Sequence, residues 1–99
     1  MNGEQLQRII KNTLNDSQIY IKTQDNVHFN AVIISRRFEK IGSKVKQQRL
    51  IYNIINEYII SGEIHAISMK TYTPDEWKVF HKKIILYMFS SISSISKSI

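Results

Sequence analysis

The chain has 99 residues, 42% of them hydrophobic and 22% charged, which suffices for one compact domain with a single modest core. It contains no cysteine, which excludes a disulfide framework, a thiolate nucleophile and any metal or iron–sulfur site built on its own thiolates. Fourteen Lys and Arg against eight Asp and Glu give a net charge of +6. This charge favours an acidic partner: a phosphate backbone, an anionic lipid or an acidic protein surface.

Two features of the sequence bear on location. The N-terminus lacks the charged and apolar regions of a secretory signal, so a cytoplasmic location is predicted. The longest apolar run is Ile84–Phe89, whereas a helix that spans a bilayer needs about 20 such residues. The sequence therefore predicts neither a membrane span nor a membrane partner.

The first predicted element is a helix over Gly3–Asn15. Asn2 followed by Gln5 has the spacing of a capping box. Apolar residues, among them Leu6 and Ile10, then recur at helical spacing. This pattern is typical of a helix with one face on a core.

An antiparallel hairpin is predicted next. In Ser17–Lys22, Ile19 and Ile21 alternate with polar residues, which is typical of a half-buried strand. After a short polar turn, His28–Ser35 is β-branched and apolar, which predicts a second strand that pairs with the first.

A long helix and a third strand follow. Ser43 is a plausible N-cap for a helix that ends near Gly62. The segment Glu63–Lys70 is strand-like and places His65 on the same face as Ile67. This alternation predicts a buried imidazole, which without further information indicates a core histidine paired with a polar partner.

The last predicted helix begins at the sequence Thr73-Pro74-Asp75-Glu76, in which Thr caps, Pro suits the first turn and the acids complement the helix dipole. The element order predicts an α+β fold in which helices pack on one face of a three-stranded sheet. We expect one domain over residues 1–80. Residues 81–99 form an extension with a serine-rich tail, either a continued helix or a frayed end.

Five separated segments match one known family in the same order. They are His28–Phe29, Val32–Glu39, Lys46–Tyr52, Ile64–Ser68 and Tyr72–Trp77. Over about residues 4–78 the chain resembles the BolA family, and within it the bacterial IbaG (YrbA) branch. The resemblance implies a class II KH-like fold with a three-stranded mixed sheet.

The resemblance also implies a role in iron–sulfur cluster handling. In this family a 2Fe–2S cluster is shared in a heterodimer with a monothiol glutaredoxin, whose thiolate and glutathione face a histidine of the BolA-like chain. That histidine corresponds to His65, and a neutral imidazole is a suitable ligand for iron. The second family ligand is a His or Cys in the loop between the first two strands. That loop contains neither here, and His28 at its edge is the nearest substitute.

A DNA-binding regulator of a stress response is the alternative function, because some BolA relatives are described as such. Its candidate contacts are clustered between the second strand and the long helix, although the GxxG clamp of KH domains is absent because only Gly42 is present. A solvated face, or docking to an acidic protein, explains such a cluster equally well. The basic residues are Arg36, Arg37, Lys40, Lys44, Lys46 and Arg49.

Other features favour a binding protein over an enzyme. The sequence has no nucleophile elbow, no phosphate-binding glycine loop and no HExxH motif, so no enzymatic activity is expected. His81 lies beside two lysines and is predicted to be a solvent-exposed helix residue. A weak homodimer is left open.

Overall fold

The computed structural model describes the backbone of residues 1–97 and the side chains of residues 1–89. The elements follow the predicted order, with a short 3-10 helix between the second strand and the long helix. They are α1 (Gly3–Thr13), β1 (Gln18–Lys22), β2 (His28–Ile34), the 3-10 helix (Arg36–Lys40), α2 (Lys44–Ile60), β3 (Ala66–Tyr72) and α3 (Pro74–Lys97).

The three strands form one mixed sheet in the order β1-β2-β3. β1 pairs antiparallel with β2, so that Ile19 lies opposite Ile33. β2 pairs parallel with β3, so that Ala31 lies opposite Met69. The predicted hairpin and the mixed sheet are both confirmed.

The hydrophobic core lies between one face of the sheet and the helices α1 and α2. Alternate residues of each strand point to this face, and each large apolar side chain buried there stabilises the fold by about 1.5–3 kcal/mol. Phe29 near the start of β2 and Phe38 in the 3-10 helix are both buried here. The other main core residues are Leu6, Ile10, Leu14, Ile19, Ile33, Ile51, Ile55 and Ile64.

The N-terminus of α1 has the predicted capping box. The Asn2 side chain accepts a hydrogen bond from the Gln5 amide at 2.8 Å, and the Gln5 side chain accepts one from the Asn2 amide at 2.8 Å. Two otherwise unpaired amides are thereby satisfied at the start of the helix. The helix ends at Thr13 rather than Asn15, because Leu14 leaves helical geometry and turns into the core.

A buried glutamine joins three elements beneath the sheet. Gln47 on α2 donates hydrogen bonds to the carbonyls of Phe38 at 3.2 Å and Ile41 at 2.9 Å. Its side-chain oxygen accepts a hydrogen bond from the Thr71 hydroxyl on β3 at 2.7 Å. These bonds hold the 3-10 segment against α2 and β3.

The third helix begins as predicted. The Thr73 hydroxyl accepts a hydrogen bond from the Glu76 amide at 3.1 Å, and the Glu76 carboxylate accepts one from the Thr73 amide at 2.8 Å. Trp77 stacks on Tyr20 of β1 and packs against Tyr72 of β3, with ring centroids 5.8 and 5.5 Å apart. Ile19 faces the core, so its neighbour Tyr20 lies on the opposite face of the sheet. The contact with Trp77 therefore covers the end of the face that α1 and α2 leave open.

Beyond this contact, α3 continues past the predicted domain boundary after residue 80 and is helical through Lys97. The side chains of residues 78–89 are all exposed. Among the residues described, no helix is long and apolar enough to cross a membrane. The part of the tail prediction that concerns Ser98 and Ile99 lies outside the described residues.

Candidate functional site

The structure corrects the predicted position of His65. β3 begins at Ala66, one residue later, and His65 is an exposed residue in the bend before it. Ile64 takes the buried position, and its amide donates a hydrogen bond to the Tyr58 carbonyl at 2.9 Å. Because the chain bends here, the alternation of the strand does not extend back to His65, and the ring faces solvent.

His28 lies beside His65. It is the first residue of β2 and pairs with Ala66 in the parallel ladder, while the His65 amide donates a hydrogen bond to the Val27 carbonyl at 2.8 Å. The two imidazole centroids are 5.7 Å apart and the ring planes cross at 83°. This edge-to-face arrangement is itself a favourable aromatic contact. The structure thus brings together the two histidines that the sequence singled out as iron ligands.

Asp25 orients the His28 ring. One oxygen of its carboxylate accepts hydrogen bonds from the amides of Val27 at 3.0 Å and His28 at 2.8 Å. The other lies 2.7 Å from His28 Nδ1. The His28 amide, then the Val27 amide and the His28 ring, lower the pKa of Asp25 far below its usual value.

This geometry determines which nitrogen of His28 is available. An ionised carboxylate can only accept hydrogen bonds, so the contact requires a proton on Nδ1. In the neutral ring the lone pair then remains on Nε2. A carboxylate that fixes a histidine in this way is the usual support of a metal-binding imidazole.

The donor set suits a shared metal rather than a metal held by this chain alone. The two imidazoles supply only part of the roughly four ligands that such a metal ion takes. Within the described residues, no group of three or more His, Cys, Asp or Glu could hold a metal ion. Further ligands would therefore come from a partner.

An open groove runs beside His28 along the β1–β2 turn. Its lining is mostly polar and includes the ends of both strands. The lining residues are Ile21, Lys22, Thr23, Gln24, Asp25, His28 and Asn30. This groove leaves room for another molecule to approach the imidazole.

The basic residues proposed as nucleic-acid contacts lie on two consecutive helices. Arg36, Arg37 and Lys40 belong to the 3-10 helix, whereas the other three lie in the first turns of α2. All six are exposed. Those on α2 are Lys44, Lys46 and Arg49.

One of these cations has partners within the molecule. Lys44 Nζ donates hydrogen bonds to the Thr71 carbonyl at 2.7 Å and to Glu76 Oε1 at 2.9 Å, and it lies 5.3 Å from the centre of the Tyr72 ring. The Thr73 amide and then the Lys44 ammonium hold the pKa of Glu76 below its usual value. Lys44 therefore links α2 to the start of α3, and less of its charge is directed to solvent.

The beginning of the basic segment is anchored by an acid that no sequence pattern singles out. Asp16 accepts hydrogen bonds from the Ser35 hydroxyl at 2.9 Å and from the Arg36 amide at 2.8 Å. Partial burial alone would raise the pKa of Asp16, but the Arg36 amide and the Ser35 hydroxyl lower it below its usual value. The partners are about twenty residues apart in the sequence, which is why no local pattern reveals them.

The third histidine is not part of this arrangement. His81 lies on α3 and is exposed, as predicted. Its ring meets Trp77 edge-on, with centroids 5.6 Å apart.

Comparison with known proteins gives consistent matches over about four fifths of the chain. Residues 4–76 match the family model for BolA-like proteins. The acid stress protein IbaG of Escherichia coli is 34% identical over 77 residues, which cover 78% of this chain and 89% of IbaG. An uncharacterized protein of Haemophilus influenzae is 38% identical over 78 residues, or 79% of this chain and 89% of that protein. Among solved structures, a bolA protein homologue from Coxiella burnetii has a TM-score of 0.68 at 33% identity, covering 79% of this chain and 97% of that one.

Proposed function

The chain belongs to the BolA family, and on that premise we propose that it is an adaptor in cytoplasmic iron–sulfur cluster assembly or trafficking. It shares a 2Fe–2S cluster with a monothiol glutaredoxin in a heterodimer. The observation that carries this proposal is the exposed His65 ring, 5.7 Å from the exposed ring of His28. Two accessible imidazoles at one end of the sheet offer nitrogen ligands to a cluster that a partner carries.

Three residues of this chain have different roles in holding the cluster. His65 provides the principal nitrogen ligand and His28 the second, with Asp25 holding the proton on Nδ1 of His28. The glutaredoxin and glutathione provide thiolates, which this cysteine-free chain lacks. Histidine in place of thiolate raises the reduction potential of such a cluster. No group on this chain needs to act as a catalyst.

The test is reconstitution of the cluster between two proteins. The chain is mixed with a monothiol glutaredoxin loaded with cluster in the presence of glutathione, and the visible absorption and circular dichroism spectra are followed together with complex size. We expect a heterodimer with a spectrum different from that of the glutaredoxin alone. His65→Ala should abolish the new spectrum, and His28→Ala should weaken or alter it.

The matched control is His81→Ala, which removes an exposed histidine outside the site. This variant should give the wild-type spectrum. Thermal unfolding of all three variants separates loss of a ligand from loss of the fold. An unchanged cluster spectrum with folded His65→Ala would contradict the proposal.

DNA binding is a second candidate, favoured by the exposure of the basic segment on the 3-10 helix and α2. A role in stress regulation would agree with the name of the relative IbaG, an acid stress protein. Phosphate contacts predict that affinity falls steeply with salt and that Arg36→Ala and Arg37→Ala weaken binding. Binding that is insensitive to both salt and these substitutions would exclude this role for the segment.

A further inference from the structure

The exposed part of α3 is not used by the proposed function. The run Ile84–Phe89 consists of six consecutive apolar residues, whose side chains are 43–75% exposed. Before this run, Phe80 stacks on Tyr72 of β3, with ring centroids 5.5 Å apart. The apolar run lies beyond residue 76, where the family match ends, so it is a property of this chain.

The apolar residues surround the helix instead of forming a stripe. An α-helix turns by about 100° per residue, so Ile84–Phe89 point in all directions around the axis. A single partner helix covers one stripe of such a surface and leaves the other side chains in water. A medium that surrounds the helix, such as the interior of a lipid leaflet, buries all of them.

The charges around this run are of one sign. Lys82 and Lys83 directly precede it, Lys78 lies one turn earlier, and there is no acidic residue from Trp77 to Ile99. Lysines at the edge of an apolar segment attract anionic headgroups, and their long apolar stems tolerate the interface. The same lysines would repel each other if two copies of α3 paired side by side in parallel.

The length of the run sets the depth of insertion. Six helical residues rise about 9 Å along the axis, which falls far short of the roughly 30 Å hydrocarbon core, so the run can enter only the surface of a leaflet. We propose that the segment Lys78–Phe89 is a membrane-contact site that inserts Ile84–Phe89 into the surface of an anionic bilayer. The prediction of no membrane partner rested on spanning length, which this mode of binding does not need.

Vesicle flotation tests the site. The full chain is mixed with vesicles of phosphatidylserine and phosphatidylcholine, or of phosphatidylcholine alone. We expect binding to the anionic vesicles, weakening as salt is added, and much less binding to the neutral ones. Because each lost large apolar contact weakens partitioning roughly tenfold or more, Leu86→Ser with Phe89→Ser should abolish flotation.

Matched controls come from other exposed residues. Val45 and Ile60 on α2 are 64% and 77% exposed, and the pair Val45→Ser with Ile60→Ser should leave flotation unchanged. Lys82→Gln with Lys83→Gln should weaken binding to anionic vesicles more than the same change at two lysines of the basic segment.

Three results would overturn the proposal. They are no binding of the folded chain to anionic vesicles, binding that survives the Leu86 and Phe89 substitutions, and sedimentation showing a dimer that those substitutions dissolve. The last result would assign the run to a second copy of the chain. None of them affects cluster sharing through His65, which the reconstitution assay measures independently.

Discussion

Replacement of Gln47 by leucine tests how the basic segment is held to the domain. Gln47 is 5% exposed, and its amide pairs with the Phe38 and Ile41 carbonyls and the Thr71 hydroxyl. Leucine has a similar size but no polar atoms. The substitution therefore removes these hydrogen bonds with little change in packing volume.

The magnitude follows from which partners remain buried. The Ile41 carbonyl is only partly buried and can bind water, and the Phe38 carbonyl keeps the hydrogen bond that it accepts from the Ile41 amide at 3.1 Å. Only the Thr71 hydroxyl loses its partner in a buried bond. A buried group left without a partner costs about 1–3 kcal/mol, so the free energy of unfolding should fall by about 1–3 kcal/mol. For a chain of this size, Tm should fall by about 4 °C or more.

Urea unfolding followed by far-ultraviolet circular dichroism and by the fluorescence of the single tryptophan, Trp77, measures the loss. The double variant Gln47→Leu with Thr71→Val removes both members of one bond, so it should be less destabilised than the sum of the single variants by about 0.5–3 kcal/mol. A loss below about 1 kcal/mol for Gln47→Leu, or strict additivity in the double variant, would refute the reasoning.

Three other substitutions test contacts elsewhere in the molecule. Asp25→Asn should weaken formation of the cluster-bridged complex with the glutaredoxin about 10–100-fold by releasing the His28 ring; equal titration curves for the two proteins in the reconstitution assay would exclude this positioning role. Because the pKa of Glu76 is lowered in the fold, its contribution to stability is present above the usual carboxyl pKa and is lost as pH falls through the lowered value. Glu76→Gln should thus flatten the acid side of the stability profile, and an unchanged profile in unfolding at several pH values would contradict this. Gly62 has a φ of +83° and open space where a Cβ would lie, so Gly62→Ala should cost about 1–2 kcal/mol through the backbone alone. A urea unfolding midpoint no lower than that of the control Gly42→Ala would argue against this cost.

Local patterns in the sequence were enough to predict most elements of the fold. The capping box at Asn2, the cap at Thr73 and the helical spacing of apolar residues all concern groups within one or two turns of each other. The alternation in β1 and β2 similarly predicted the hairpin. Such features can be predicted from the sequence because they depend on neighbours along the chain.

The site depended on contacts between distant segments. The strand pattern predicted a buried His65, but the bend after Ile64 exposes the ring. The parallel pairing of β2 with β3 then places it beside His28. Neither the register of two strands joined by a long helix nor the end of a strand is visible in local alternation.

The sequence by itself determined the composition of the site: two histidines and no cysteine, in a chain with segments typical of one family. Only the tertiary structure decided that both rings are exposed side by side, and that Lys44 is bound to Thr71 and Glu76. The physical reason is that residue types and short-range periodicity are properties of the chain. Exposure and pairing, by contrast, arise from how remote segments share one core.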